Sequence, residues 1–224
     1  MSQEPLPSAT VVLVRDSEAG MEVLLLKRTA RKQEKGPAPW VFPGGKVEDI
    51  DGKTDDDDTL AVWRRAAVRE MAEEAGLVID AERLLPISRW ITPDISPKRF
   101  DTWFFFSETE DQQAVEVDGV EIERSRWIEP RVALDERQRG ELFLAPPTFV
   151  TLWWIASFKD VASARLSLAK AAVLTFRPQV CRTGEGMCML YPGDAGYATR
   201  DPEQAGVRHR LWALASGWRY ERDV

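Results

Sequence analysis

The stretch WRRAAVREMAEEAGL, residues 63–77, combines the spacing of an amphipathic helix with a dense group of acidic residues. Its apolar side chains recur every three or four residues, which is typical of a helix that packs one side against a core. The members of this apolar stripe are Leu60, Trp63, Ala67 and Met71. The pattern predicts a helix over about 58–75, with Gly76 directly after it as the residue that ends the helix.

The acidic residues Glu70, Glu73 and Glu74 fall within an arc of about 100° on this helix, beside the apolar stripe. Negative charges at the carboxyl end of a helix oppose its dipole, at a cost of about 0.3–1 kcal/mol each. A hard divalent cation would compensate such a cluster, because it prefers carboxylate oxygens as ligands. The arginines of the same helix would also neutralise a solvated acidic face, and the helix alone leaves both interpretations open.

A turn of two glycines, Gly44 and Gly45, directly follows the segment WVFP, residues 40–43. Because glycine has no Cβ, backbone groups at such a turn can approach a metal or a phosphate closely. An acidic run, residues 55–58, lies between this turn and the helix. We interpret its four aspartates as a solvated cap of the helix rather than a cation site, because Asp side chains accept hydrogen bonds from free N–H groups at the amino end.

The segments GGKVEDID, residues 44–51, and REMAEEAGL, residues 69–77, resemble the signature of the Nudix family. Members of this family are Mg²⁺- or Mn²⁺-dependent hydrolases of nucleoside diphosphates that are linked to another group. The second segment matches the signature at every position. In the first, Asp51 stands where the family has Glu, and 23 residues separate Gly45 from Arg69 where the compact pattern has 13. The additional residues predict a longer loop before the helix.

The resemblance implies a role for each matching residue. Glu73 and Glu74 would be metal ligands, and Glu70 would be either a metal ligand or the base that acts on the attacking water. Gly44 would bind the metal through its carbonyl oxygen, and Arg69 would orient the glutamates through a salt bridge. The implied reaction is attack of water on one phosphorus of a diphosphate, with Mg²⁺ or Mn²⁺ as the cofactor.

A further carboxylate from outside this signature often assists the metal in the family, and Glu121 is the first candidate for it. Glu116 and Glu123 are weaker candidates in the same segment, QAVEVDGVEIERSRW, residues 113–127. The alternating pattern of this segment is typical of a strand. Each of the three glutamates is therefore explained at least as well as a solvent-facing strand residue.

The segment WITPDISPKRFDTWFFF, residues 90–106, resembles the branch of the Nudix family that includes the peroxisomal coenzyme A diphosphatases. On an alternating strand, Arg99, Asp101 and Trp103 share one face, where they would offer a cation, a hydrogen-bond acceptor and a stacking surface to a substrate. Lys98 is a second candidate cation, although Lys98 and Arg99 are also explained as a surface pair. The expected partner is a small nucleoside diphosphate derivative, with coenzyme A or acyl-coenzyme A favoured.

Other ligands remain open at this point, because the same signature serves ADP-ribose, NADH, other dinucleotides and nucleoside triphosphates. A non-catalytic module that binds a nucleotide and regulates a partner is an alternative from a different class. The intact glutamates of the helix count against this module, while Asp51 and the long loop count slightly for it. Metal-dependent hydrolysis distinguishes the two.

The remaining pattern predicts an α/β protein: a Nudix-like α/β/α sandwich with a mixed sheet and a C-terminal helix-plus-strand elaboration. Strands are expected at 9–15 and 21–28, as a pair joined by a connection within 77–93, at 98–107, around the Gly turn of 180–191 and at 208–214. A Pro-initiated helix is expected at 146–170. We expect one Nudix-type domain over residues 1–224. Its core would span about 8–145 and its C-terminal extension about 146–224.

Composition excludes several classes of function. The net charge of −7 argues against binding to nucleic acid or to an anionic membrane, since basic surfaces supply most of that affinity. No apolar run approaches the roughly 20 residues of a membrane span, and the first ten residues lack the regions of a secretory signal, so we expect a cytoplasmic protein. A homodimer is possible. The single histidine, His209, rules out a His-rich zinc site, and we interpret Cys181 and Cys188 as reduced thiols.

Overall fold

The computed structural model describes residues 4–30, 37–52, 59–109 and 114–223. Within these ranges it contains four α-helices: α1 (Thr59–Ala75), α2 (Pro130–Gln138), α3 (Pro146–Ile155) and α4 (Val161–Leu168). The strands in the same ranges are β1 (Leu6–Ser17), β2 (Gly20–Arg28), β3 (Trp40–Val41), β4 (Gly44–Lys46), β5 (Leu85–Ile91), β6 (Phe100–Glu108), β7 (Ile122–Ile128), β8 (Leu174–Phe176), β9 (Gln179–Thr183), β10 (Gly186–Leu190), β11 (His209–Leu214) and β12 (Gly217–Arg222). The four aspartates at residues 55–58, interpreted above as a helix cap, lie outside the described residues.

The larger sheet has eight strands, six of which run in the order β3-β2-β1-β6-β5-β8. The strand β4 pairs with the first half of β1, and β7 pairs with β2. The pairs β1–β6 and β5–β8 are parallel, and the others are antiparallel, so the sheet is mixed as predicted. A smaller antiparallel sheet has the order β12-β11-β10-β9.

Helices cover both faces of the larger sheet. Successive residues of a strand point to opposite faces, and the central strands carry apolar side chains on both. In β1, Val11 and Leu13 pack with α1, while Val12 and Val14 pack on the other face with residues of α3, α4 and the smaller sheet. The arrangement confirms the predicted α/β/α sandwich. In the described part of the chain, no helix is both long and apolar enough to cross a membrane.

Helix α1 agrees closely with its prediction. Trp63, Ala67 and Met71 are buried, as the apolar stripe required. Gly76 has a φ of 67°, and its amide donates to the carbonyl of Ala72. Glycine adopts this left-handed conformation without steric cost, so the helix ends where the sequence indicated.

The C-terminal region differs from the prediction of one long helix over 146–170. Two helices, α3 and α4, are separated there because Asp160 caps a new helix by accepting a hydrogen bond from the amide of Ser163 at 2.8 Å. The helix α2 and the strand β12 were not predicted, and of the two strands expected within 77–93 only the second is present, as β5. The hairpin β9–β10 and the strand β11 lie where strands were expected.

The two sheets share one hydrophobic core. The rings of Trp90 on β5 and Phe176 on β8 stack at 4.0 Å, and Tyr191 packs edge-on against both. The smaller sheet is further held by a buried ion pair between Asp194 and Arg210, with a shortest distance of 2.6 Å. Asp194 also accepts hydrogen bonds from two backbone amides, so this buried charge is fully paired.

Candidate active site

The site is built where β1 and β2 separate and the segment β3–β4 enters between them. The strand β3 pairs with the end of β2, and β4 pairs with β1 through Gly44 and Thr10. The carbonyl of Pro43, between the two short strands, accepts a hydrogen bond from the amide of Val11 at 2.9 Å. The backbone of the glycine turn is therefore fixed to a buried strand.

The two glycines of the turn are required by close contacts. A Cβ at Gly45 would lie 2.3 Å from an oxygen of the Glu70 carboxylate. A Cβ at Gly44, whose φ is 151°, would lie 2.3 Å from the carbonyl oxygen of Ala9. The absence of side chains lets the carboxyl end of α1 approach the turn directly.

The three glutamates of α1 have different surroundings. Glu74 is only 7% exposed, and its carboxylate accepts a hydrogen bond from the amide of Gly44 at 2.8 Å. Glu70 is largely buried over Gly45, while the side chain of Glu73 is 59% exposed. Two carboxylates of the cluster thus face the glycine turn, and the third lies at its outer edge.

Arg69 connects the helix to the loop that follows β4. Its guanidinium donates to the carboxylates of Glu70 at 3.0 Å and Glu73 at 2.9 Å, and to the carbonyl of Lys46 at 2.8 Å. The remaining hydrogen bonds go to Asp51, at 3.1 Å from Nε and 2.9 Å from Nη2. These partners raise the pKa of Arg69, with the hydrogen bonds to Asp51 as the largest cause, so the residue stays charged.

Asp51, whose role the sequence left open, is the buried anchor of Arg69. It sits at the end of the 3₁₀ turn Asp49–Asp51, and its carboxylate also accepts from the amide of Glu48 at 2.8 Å. The turn carries the shorter aspartate side chain far enough toward the helix for a two-pronged ion pair. Asp51, which stands where the family pattern has Glu, thus binds the arginine of the signature in this chain.

The buried glutamates resist ionisation in the absence of a cation. Burial raises the pKa of Glu74 to about 7, and the charges of Glu70 and Glu121 add to this effect, while the amide of Gly44 and the charge of Arg28 oppose it. Burial also raises the pKa of Glu70, against the influence of Arg69. A pair of partly desolvated carboxylates with raised pKa values is typical of a functional site.

Glu121 and Arg28 lie close enough to Glu74 for their charges to influence it. Arg28 ends β2 and forms an ion pair with Glu121 at 3.5 Å, and both side chains influence the pKa of Glu74. Glu123 instead pairs with Lys27 at 2.5 Å, and Glu116 packs beside Gly76. Of the three candidates outside the signature, Glu121 is the one whose charge reaches Glu74. Sequence reasoning did not single out Arg28, because nothing marks the last residue of a strand as a neighbour of a helix that begins 31 positions later.

The second group of predicted site residues lies on the other side of β1. Trp103 pairs with Ala9, which pairs in turn with Gly45, so two strand spacings of about 4.8 Å separate Trp103 from the turn. Ala9 between them is fully buried beneath α1. The structure does not bring this group into contact with the glutamates.

The members of the second group are held by partners of their own. Arg99 is buried and binds Asp94 at 2.6 Å and the carbonyl of Thr92 at 3.2 Å, and Lys98 lies 5.2 Å from the ring of Phe100. Asp101 accepts two hydrogen bonds from Arg89, at 2.7 and 2.5 Å. Arg89 was missed in the sequence, although its place on the neighbouring strand, two residues from the partner of Asp101, makes the contact possible.

Across the described ranges, no three acidic, cysteine or histidine side chains lie close enough together to form a complete cation site. The exposed carboxylate of Glu73 instead pairs with Arg69 at 2.9 Å. A groove of about 810 Å³ lies at the far end of β1, beside Arg83, Glu108 and Arg165. Two of its arginines, Arg83 and Arg165, already bind Glu108, and no glutamate of α1 lines the groove.

Comparison with known proteins identifies the family. The model of the NUDIX domain matches residues 5–147. The chain belongs to the Nudix family. The glycine turn, Arg69 and the three glutamates of α1 are its signature in this chain, which is a Nudix hydrolase that acts on phosphoanhydrides. Nudix hydrolases generally use divalent metal cations.

Several relatives show how far the similarity extends. A putative nudix hydrolase 7 of Caenorhabditis elegans is 30% identical over 83% of this chain and 73% of its own length. The human acyl-coenzyme A diphosphatase NUDT19 is 28% identical over 84% of this chain, but the match spans only 50% of that protein. The fold is similar to the crystal structure of a NUDIX hydrolase from Alicyclobacillus acidocaldarius, with a TM-score of 0.65, 24% identity and coverage of 77% of this chain and 99% of that one.

Proposed function

We propose that this Nudix hydrolase cleaves the diphosphate of coenzyme A or an acyl-coenzyme A in a reaction that requires Mg²⁺ or Mn²⁺. The observation that carries the proposal is the pair Glu70 and Glu74, two largely buried carboxylates against a glycine turn, whose charges are incompletely compensated. Such a pair is costly unless a ligand uses it.

The carboxylates of the described residues are not arranged as a complete cation site, but the buried pair Glu70 and Glu74 at the turn is suited to a divalent cation. A hard cation would offset the burial and mutual repulsion that raise the pKa of Glu74. Glu70, Glu73, Glu74, the carbonyl of Gly44 and Glu121 are the groups that would hold it. When bound, the cation would neutralise charge on the phosphates and lower the pKa of a coordinated water.

The side chains around the turn would orient the reacting groups. Arg69 holds Glu70 and Glu73 in place, and is itself held by buried Asp51. Glu70, whose pKa is raised, is suited to accept a proton from the water that attacks one phosphorus. Arg28, beside Glu74 and Glu121, would place a positive charge near the phosphate oxygens. The bond that breaks joins that phosphorus to the bridging oxygen, which leaves with the second phosphate.

Two observations support coenzyme A or its acyl derivatives as the substrate. Three proteins of 26–28% identity bear the name acyl-coenzyme A diphosphatase NUDT19, from human, Xenopus laevis and Gallus gallus. This chain spans about half of the length of these relatives, between 44% and 56%, so their activity is a proposal here. The strand that begins at Phe100 also carries Asp101 and Trp103, with Lys98 and Arg99 just before it, as candidate groups for the nucleoside part.

The test is a hydrolysis panel with coenzyme A, acetyl-coenzyme A, ADP-ribose, NADH, diadenosine tetraphosphate and nucleoside triphosphates, each with Mg²⁺, with Mn²⁺ and with EDTA. We expect metal-dependent turnover of coenzyme A or acetyl-coenzyme A, and a loss of at least about a hundredfold in Glu74→Gln. Arg182→Met, an exposed arginine on β9, is the control and should match the wild type. Preference for ADP-ribose or a dinucleotide would refute the substrate, and a wild type without any activity would refute the proposed hydrolysis.

A further inference from the structure

One corner of the larger sheet carries an excess of positive charge. At this corner β5 and β8 end and β6 begins. The charged residues here comprise four cations and two acids: Arg89, Lys98, Arg99, Arg177, Asp94 and Asp101. A local charge of +2 contrasts with the net charge of −7 of the whole chain. Local positive charge on an acidic protein favours a specific anionic ligand over general binding to polyanions.

The strand register brings Arg89 and Arg177 to one face of this corner. Arg89 pairs with Thr175 on β8, and Arg177 follows two residues later, directly after that strand. Residues two apart on a strand point to the same side, and their Cα atoms here are about 8 Å apart. On the other side of β5, strand β6 pairs Trp103 with Arg89 and Asp101 with Ile91. The face that carries Arg89 therefore also carries Trp103 and Asp101, and Asp101 binds Arg89.

Each of these two arginines has capacity for another anion. Asp101 engages Nε and Nη2 of Arg89, which leaves Nη1 outside that pair. Asp94 binds buried Arg99 at 2.6 Å but Arg177 only at 3.4 Å. The side chains of Arg177 and Asp94 are each about half exposed, and such a pair contributes little to stability. An incoming phosphate would therefore take Arg177 from Asp94 at low cost, because Asp94 keeps Arg99.

Trp103 adds an aromatic surface to the same face. The guanidinium of Arg89 lies 5.8 Å from the centre of its ring and is held by the two hydrogen bonds to Asp101. A planar cation beside a partly exposed indole is a surface on which a nucleobase stacks. A phosphate monoester and a base on one ligand would satisfy both features.

We propose that Arg89 and Arg177 bind the phosphate monoester of a nucleotide that is phosphorylated on its ribose, with its base on Trp103. The inference rests on the proposed function, since this nucleotide would be the distal part of the same substrate. Three strand spacings, about 14 Å, separate Arg89 from Gly45 along the row Gly45, Ala9, Trp103, Arg89. Because Ala9 is buried beneath α1, the substrate has to run beside this helix rather than under it.

The kinetic test compares coenzyme A with dephospho-coenzyme A, which differ only in the phosphate monoester on the ribose. In Arg177→Met we expect KM for coenzyme A to rise about tenfold with kcat within about twofold, while KM for dephospho-coenzyme A does not change. Arg89→Met should also raise KM for coenzyme A, and to a smaller extent KM for dephospho-coenzyme A, because its guanidinium lies beside the proposed base surface as well. Arg182→Met should have no effect on either substrate. Equal effects of Arg177→Met on both substrates, or no effect on coenzyme A, would overturn the inference.

A binding measurement separates this inference from the proposed function. Calorimetric titration of the metal-free protein with adenosine 3′,5′-bisphosphate and with adenosine 5′-monophosphate needs no turnover. We expect tighter binding of the bisphosphate by the wild type, and a loss of this preference in Arg177→Met but not in Arg182→Met. If the wild type hydrolyses neither form of coenzyme A yet shows this preference, the proposed substrate fails and the phosphate site stands. Equal affinities for the two nucleotides in the wild type would refute the site.

Discussion

Replacing Glu74 by Gln should abolish catalysis and at the same time stabilise the metal-free protein at alkaline pH. The folded protein raises the pKa of this carboxyl from 4.5 to about 7, chiefly by burial. Well below pH 4.5 the carboxyl is protonated in both the folded and the unfolded state, so its ionisation does not change the unfolding free energy. As the pH rises toward 7 the unfolded chain ionises first, so the wild type loses up to about 3 kcal/mol of unfolding free energy, at about 1.4 kcal/mol per pH unit.

Glutamine escapes this loss because it does not ionise, and its amide oxygen can still accept the hydrogen bond from Gly44. The assay is urea unfolding in EDTA at pH 5, 6, 7 and 8. We expect Glu74→Gln to be close to the wild type at pH 5 and more stable by about 2–3 kcal/mol at pH 8. Glu73→Gln, one residue away on the exposed side of the helix, is the control and should differ from the wild type by about 0.5 kcal/mol or less at every pH.

Two results would refute the reasoning. A difference between wild type and Glu74→Gln that does not grow from pH 5 to pH 8 would mean that the carboxylate is already compensated without a cation. A stabilisation of Glu74→Gln by Mn²⁺ as large as that of the wild type would mean that Glu74 does not hold the metal. We expect Mn²⁺ to raise the unfolding free energy of the wild type more than that of Glu74→Gln, because a bound cation offsets the cost of ionising Glu74.

Three further predictions concern single contacts. Gly45→Ala places a methyl group against the carboxylate of Glu70, which lies at the end of a flexible side chain, so the circular dichroism spectrum should persist while kcat falls at least about tenfold; retained kcat would contradict the contact. Asp51→Asn removes the buried charge that anchors the arginine of the signature and should cost about 3 kcal/mol in urea unfolding and lower kcat more than it raises KM; wild-type stability and activity together would show that the anchor is dispensable. Asp194→Asn leaves the buried guanidinium of Arg210 without its counter-charge and should cost about 3–5 kcal/mol with an unchanged KM in the folded fraction; a cost below about 1 kcal/mol would mean that water reaches the pair.

The sequence predicted those parts of the fold that depend on local pattern. Helix α1 spans Thr59–Ala75 against an expected 58–75, because its apolar stripe and the glycine after it are features of neighbouring residues. The helix expected at 146–170 is interrupted because Asp160 starts a new one, a choice that the apolar spacing alone does not reveal. The strand β12 was missed because its pattern is weak and it is held by pairing with β11.

The sequence named the residues of the candidate site, whose roles stay a prediction, but not their geometry. The three glutamates were identified from spacing on one helix, yet burial makes Glu74 and Glu73 very different side chains. The contact of Asp51 with Arg69 joins residues 18 positions apart through a 3₁₀ turn, and such a contact depends on tertiary structure. Arg28 and Arg89 were missed for the same reason, since each meets its partner only after the strands have paired.

The stack of Trp90 on Phe176 has a consequence for where this protein can be divided. The family match ends at residue 147, but the hydrophobic core continues beyond it into the smaller sheet. A chain cut at that point would leave one side of Trp90 and Phe104 facing water, and large exposed apolar patches promote aggregation. The part of the chain that carries the signature therefore depends, for covering its apolar face, on residues that contribute nothing to the signature, and both parts have to be expressed together.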